Sequence, residues 1–154
     1  MIKIDISNLV DSRFLEIPYI LGGKEFAGCD CIGLAILWLK EFGVEYRYDD
    51  GHGPVLEHWW EKNPHRFLNA ISELGRIIQF SDVKKFDCLL FFGEESWNRF
   101  PTCLGIMVDD RHFLTTVEKI GSFVQMLNLE WKQKFWGAIR LGKVVEKGLS
   151  SWDL

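Results

Sequence analysis

Gly28-Cys29-Asp30-Cys31-Ile32-Gly33-Leu34-Ala35-Ile36-Leu37-Trp38-Leu39-Lys40-Glu41-Phe42-Gly43 is the stretch whose reading decides the fold. Asp30 carries the short carboxylate that suits a helix N-cap, and Gly43 is a ready stop. From 31 to 39 no residue is charged. A helix that is apolar all round is buried all round, so this segment reads as a central helix laid against a sheet. A glycine inside such a helix costs about 1 kcal/mol relative to alanine, so Gly33 predicts the close approach of another backbone.

Working outward, Pro18-Tyr19-Ile20-Leu21-Gly22-Gly23 is an apolar patch ending in a turn, and residues 1 to 16 show no clear period. On the other side, residues 44 to 53 read as an exposed aromatic loop. A second helix is expected from Pro54 through Leu56, Trp59 and Trp60 to just before Pro64, and a short one over 65 to 74. The rest reads as strands: Ile77 to Phe80, Cys88 to Phe92, Cys103 to Val108, His112 to Val117, Phe123 to Leu127 and Ala138 to Leu141. Asp109-Asp110-Arg111 turns one antiparallel hairpin. Helices early and antiparallel strands late give an α+β fold, with the helix bearing Cys31 packed on a C-terminal antiparallel sheet.

With 154 residues, 47% hydrophobic and 26% charged, the chain fits a single soluble domain over 1 to 154, its core at about 15 to 141 and a tail from 142. The net charge is −4, and the 18 Lys and Arg form no basic block, which speaks against nucleic acid as a partner. No run of about 18 apolar residues offers a membrane span. Met1-Ile2-Lys3-Ile4-Asp5 does not read as a signal peptide, so Cys29, Cys31, Cys88 and Cys103 are expected as reduced thiols.

Cys31 falls in the first helical turn, where the helix dipole favours a thiolate; its pKa is therefore expected to move down, against the opposing charge of Asp30. The residues alone leave two readings open. Cys31 is a small core residue, or it is a nucleophile that needs a histidine to take its proton and a third group to orient that histidine.

Tyr19-Ile20-Leu21-Gly22-Gly23 and Gly28-Cys29-Asp30-Cys31-Ile32-Gly33-Leu34 resemble the tyrosine-x-x-glycine-glycine and glycine-x-aspartate-cysteine-x-glycine-leucine signatures of NlpC/P60 cysteine peptidases. These are papain-like hydrolases that cut peptidoglycan stem peptides. Phe86-Asp87-Cys88-Leu89-Leu90-Phe91-Phe92 is similar to the family's glycine-aspartate-leucine-leucine-phenylalanine strand. Cys103-Leu104-Gly105-Ile106-Met107-Val108 is similar to its histidine-valine-glycine-isoleucine-tyrosine strand, and Phe113-Leu114-Thr115-Thr116 to its phenylalanine-isoleucine-histidine-alanine strand. Phe135-Trp136-Gly137-Ala138-Ile139-Arg140 resembles the closing strand of a bacteriophage tail branch.

The resemblance implies a papain-like fold, with Cys31 at the nucleophile position and Tyr19 and Asp30 beside it. It also implies that both catalytic histidines are replaced, the base by Cys103 and the orienting residue by Thr115. Strand alternation independently puts Cys103, Gly105 and Met107 on one face, with Phe113, Thr115 and Val117 on the same face across the hairpin, so that Cys103 and Thr115 look at the Cys31 helix. A thiol with a reference pKa of about 8.5 is a poor substitute for an imidazole at about 6.5. His112 should point away, while His52, His58 and His65 read as surface residues.

The expectation is a bacteriophage tail-assembly or tail-tip protein, catalytically degenerate and structural, in the virion tail after assembly in the host cytoplasm. Its partners would be other tail proteins and, secondarily, peptidoglycan; no cofactor is expected. The alternatives are an active peptidase or amidase working through Cys31, with His58 or His52 as an unusual base, and a zinc or iron–sulfur protein using the cysteines. Trp59-Trp60 with Tyr46 and Tyr48 reads as core packing or a contact surface. The tail around Trp152 reads as a docking peptide or as disordered chain.

Overall fold

The computed structural model describes residues 9–46, 55, 59–61, 63–93 and 99–149. The decisive stretch forms a β-hairpin and a helix: β1 (Lys24–Glu25) pairs with β2 (Gly28–Cys29), and α1 (Cys31–Lys40) follows at once. Asp30 caps α1, its carboxylate accepting from the Gly33 amide. The helix ends at Lys40 rather than at Gly43. A turn carries the chain on to Gly43, whose φ of +76° supplies the left-handed residue that closes it. Gly33 is required as predicted: a Cβ there would lie 2.0 Å from the Gly23 carbonyl oxygen.

Six strands make the sheet: β3 (Gly75–Ile78), β4 (Cys88–Phe92), β5 (Pro101–Met107), β6 (His112–Val117), β7 (Gly121–Met126) and β8 (Phe135–Leu141). The order is β3-β8-β4-β5-β6-β7, antiparallel throughout. Among the described residues three short α-helices accompany the sheet: α2 (Arg66–Ser72), α3 (Leu129–Gln133) and α4 (Gly142–Glu146). Among the described residues no helix is long and apolar enough to cross a membrane.

Period-two alternation splits the sheet into two cores. Leu90, Leu104, Ile106, Leu114 and Ile139 meet Leu34, Ala35, Trp38 and Leu39 of α1 on one face. Leu89, Phe91, Met107, Phe113 and Ala138 form the other core, which Trp131 and Phe135 cover. This corrects one face assignment: Met107 and Phe113 turn away from α1, because their even-numbered neighbours Ile106 and Leu114 occupy the helix side.

Other departures have local causes. The strand expected at Ile77 to Phe80 is shifted back to Gly75–Ile78, where its partners Ala138 to Leu141 lie, and Phe80 begins a 3₁₀ turn. Of the helix expected from Pro54, the described part is a 3₁₀ turn at Trp59–Glu61, and the remainder lies outside the described residues. Trp59 stacks on Phe67 and packs against the main core. Helix α1 is not buried all round; Ile32, Ile36 and Leu37 are half-buried. The core also extends past residue 141, since Val144 of α4 is buried and Leu149 packs against it. Trp152 and Tyr48 lie outside the described residues.

Candidate functional site

Cys31 is the first residue of α1, so the helix cap positions its thiol. The Asp30 carboxylate accepts from two amides at 2.8 Å, Gly33 at the helix start and Gly22 in the preceding turn. It therefore staples the glycine turn to the helix tip, and burial pushes its pKa up despite those donors. Tyr19 bridges to Cys29 and stands within electrostatic reach of Cys31, Asp30 and Cys103. Burial first, and those acidic neighbours second, push its phenol above the ordinary range.

The opposite wall comes from β5 and β6. Their ladder registers at Ile106↔Leu114 and Met107↔Phe113, next to the Asp109-Asp110-Arg111 turn. Continued regularly, Leu104 would exchange backbone bonds with Thr116. Instead the Thr115 hydroxyl donates to the Leu104 carbonyl at 2.8 Å, a side chain standing in for a ladder rung. Where the ladder stops, Cys103, which packs against the second core, meets Cys31 of the first, side chain to side chain. Cys103 Sγ lies 3.6 Å from Thr115 Oγ1.

The groups form a chain of neighbours. Cys31 stands beside Cys103, Cys103 lies against Thr115, and Thr115 donates to the Leu104 carbonyl. The Leu104 backbone also supports both sulfurs. As the donor toward Cys103, buried and beside Asp30, Cys31 has its pKa raised well above the ordinary thiol value. This overturns the sequence expectation of a lowered pKa: the buried donor role and the nearby carboxylate outweigh the helix dipole. Cys103 moves the other way, down, chiefly through its neighbour Cys31 and, more weakly, through the charge of Lys134.

No imidazole among the described residues takes part. Among the described residues the groups acting on the Cys31 thiol are Cys103, Asp30 and Leu104. His112 is buried near the hairpin turn, its Nδ1 held 3.0 Å from the Asp109 carboxylate. His65 is exposed ahead of α2, and His52 and His58 lie outside the described residues. Among the described residues no group of three or more His, Cys, Asp or Glu is placed to hold a metal ion, so the zinc and iron–sulfur readings find no ligand set there.

One structural pair escaped sequence reasoning. Asp87, buried ahead of β4, takes a two-pronged bond from Arg140 of β8 at 3.1 and 2.9 Å and a third from the Lys84 amide. It fixes the β4–β8 junction on which β5 is laid. The signal was present in the two strand motifs that supply the aspartate and the arginine, each a charge at the edge of an apolar run. Phe86, standing where the first of those motifs has glycine, has φ +76° and is buried against Trp38 and Phe42. Aromatic packing there outweighs the cost of a left-handed backbone.

Solved structures similar to this chain share the NlpC/P60 fold. An NlpC/P60 family protein from Bacillus cereus superimposes with a TM-score of 0.61 at 18% identity, over 90% of this chain and 40% of its own. NlpC2 from Trichomonas vaginalis gives 0.61 at 16% identity, over 88% and 45%. The NlpC/p60 domain of the peptidoglycan hydrolase SagA gives 0.51 at 18% identity, over 90% of this chain and 100% of that domain. The chain thus spans less than half the length of the first two and the whole of the third. No family model and no curated protein matches the sequence.

Proposed function

We propose that this chain is a catalytically degenerate protein built on the NlpC/P60 peptidoglycan-hydrolase fold, serving as a structural component of a bacteriophage or phage-derived tail. The observation that carries the first half is where that chain of neighbours ends. Nucleophilic attack requires a group that takes the thiol proton and later returns it. From Cys31 the chain runs through Cys103 and Thr115 to a peptide carbonyl, which takes up no proton near neutrality. Losing the base of a catalytic unit costs several orders of magnitude in rate.

The tail assignment is supported by the likeness of Phe135-Trp136-Gly137-Ala138-Ile139-Arg140 to the tail branch's closing strand. In that setting the protein would reside in the virion tail, assembled in the host cytoplasm against other tail proteins, with peptidoglycan a secondary partner. A second reading has one observation in its favour: Cys31 keeps the helix-tip position, with Tyr19 and Asp30 beside it. In that reading the chain cleaves stem peptides with a base drawn from His52 or His58.

Incubating the purified protein with muropeptides, beside Cys31→Ala, separates the two. The proposal expects no cleavage from either; cleavage abolished by Cys31→Ala establishes the second reading. Mass spectrometry of purified particles from a host carrying the coding sequence tests the tail role. Stoichiometric recovery of the chain supports it, and absence from the particles overturns it.

A further inference from the structure

We propose that the outer edge of β3 is a self-association surface, on which a second copy of this chain pairs antiparallel about Ile77 and joins the two sheets into one. Hydrogen-bond parity decides what that edge offers. The Gly142 amide donates to the Leu74 carbonyl, and these two residues lie opposite each other in the register that pairs Gly75 with Leu141 and Ile77 with Ile139. Bonded and non-bonded pairs alternate in an antiparallel ladder, so Arg76 and Ile78 bond β8 while Gly75 and Ile77 turn their N–H and C=O groups outward. On that side neither residue bonds any described residue. The opposite edge of the sheet is treated differently. The same parity turns Ser122 of β7 outward, and there its carbonyl accepts from the Glu16 amide and its amide donates to the Ile17 carbonyl. An edge left open is a template for another strand. Exposed apolar side chains surround the open one. Ile77 is 65% exposed, α4, which packs on β3, adds Val145 at 55%, and Phe80 just beyond the strand is 41% exposed.

A second copy fits this edge because a two-fold axis through Ile77 matches its outward groups to themselves. Ile77 of one copy and Ile77 of the other exchange a pair of backbone bonds. Gly75 of each copy meets Gln79 of the other, where the backbone is still extended at φ −75° and ψ 150°. The same register lays the two Ile77 side chains together on one face and sets Arg76 opposite Ile78 on the other. An axis moved to Arg76 would set two arginines directly opposite each other, which repels. A strand pair this short buries an area at the low end of specific interfaces, so exchange between monomer and dimer is expected at roughly micromolar concentrations. The inference rests on the sheet alone and stands whether or not the tail assignment does.

Sedimentation velocity of the full chain from about 1 to 200 μM reads the association. The expected result is a concentration-dependent exchange between monomer and dimer. On dimerisation the Ile77 amide, open in the monomer, should gain protection from hydrogen exchange, a readout that needs no variant. Ile77→Lys changes an exposed side chain, leaves every β8 bond in place and sets like charges on the axis, so association should weaken at least about tenfold; Ile77→Glu alone should do the same. Mixed in equal amounts, the two variants should recover the dimer, because each lysine then faces a glutamate. Circular dichroism checks that both are folded. A wild-type protein that stays monomeric throughout overturns the proposal, whatever other chain binds that edge. So do species beyond the dimer, an Ile77 amide that dimerisation leaves unprotected, association that folded Ile77→Lys leaves unchanged, or a mixture of the folded variants that stays monomeric.

Discussion

The two ends of β5 are built on different terms. Near the hairpin turn, Ile106 and Met107 are laddered on both sides, to β4 and to β6, and Met107 exchanges backbone bonds with the Phe86–Asp87 segment. At the other end the β6 ladder gives way to a hydroxyl, two sulfurs and the tip of α1. The first end holds shape through backbone pairing, which tolerates many side chains. The second depends on side-chain chemistry. A fold can therefore persist while its cleft changes, since the bonds that hold the one are not those that define the other.

The largest effect is expected from breaking the laddered end. Asp87→Ala removes the acceptor of the Arg140 and Lys84 bonds and should cost about 2 to 4 kcal/mol, read by denaturant unfolding. Gly33→Ala presses a methyl group onto the Gly23 carbonyl and should cost about 1 to 3 kcal/mol, seen as a lower melting temperature. At the parted end, Thr115→Val deletes the substitute rung, leaves the Leu104 carbonyl without that donor, and should cost about 1 to 2 kcal/mol.

Much of this was legible in advance. Asp30 and Gly33 announce the α1 cap and its close backbone neighbour because capping and steric rules act within a few residues. The strands from Cys88 onward follow from alternation, with ends displaced by a few residues where pairing partners, which no local pattern contains, set the limits. The Asp87–Arg140 lock was hidden because its halves lie 53 residues apart. The shift at Cys31 was misjudged because the dipole is local, whereas the hydrogen bond to Cys103 exists only after folding.

The smallest effect distinguishes buried thiols from the cleft. Burial raises the pKa of Cys29 to about 11 and that of Cys88 further, while an unfolded chain ionises its thiols near pH 8.5. The folded state thus keeps protons that the unfolded state gives up. Stability contributed by these groups is whole below about pH 8.5 and is lost as the pH rises toward 11. Cys88→Ala should flatten that alkaline decline in melting temperature.

The most direct test places two imidazole rings in the cleft. Cys103→His combined with Thr115→His, checked for folding by circular dichroism and incubated with muropeptides, should gain cleavage that Cys31→Ala abolishes, while the wild-type protein shows none. Cleavage by the wild-type protein through Cys31, or a folded double variant as inert as its parent, would contradict the claim that these two side chains separate this cleft from a working one.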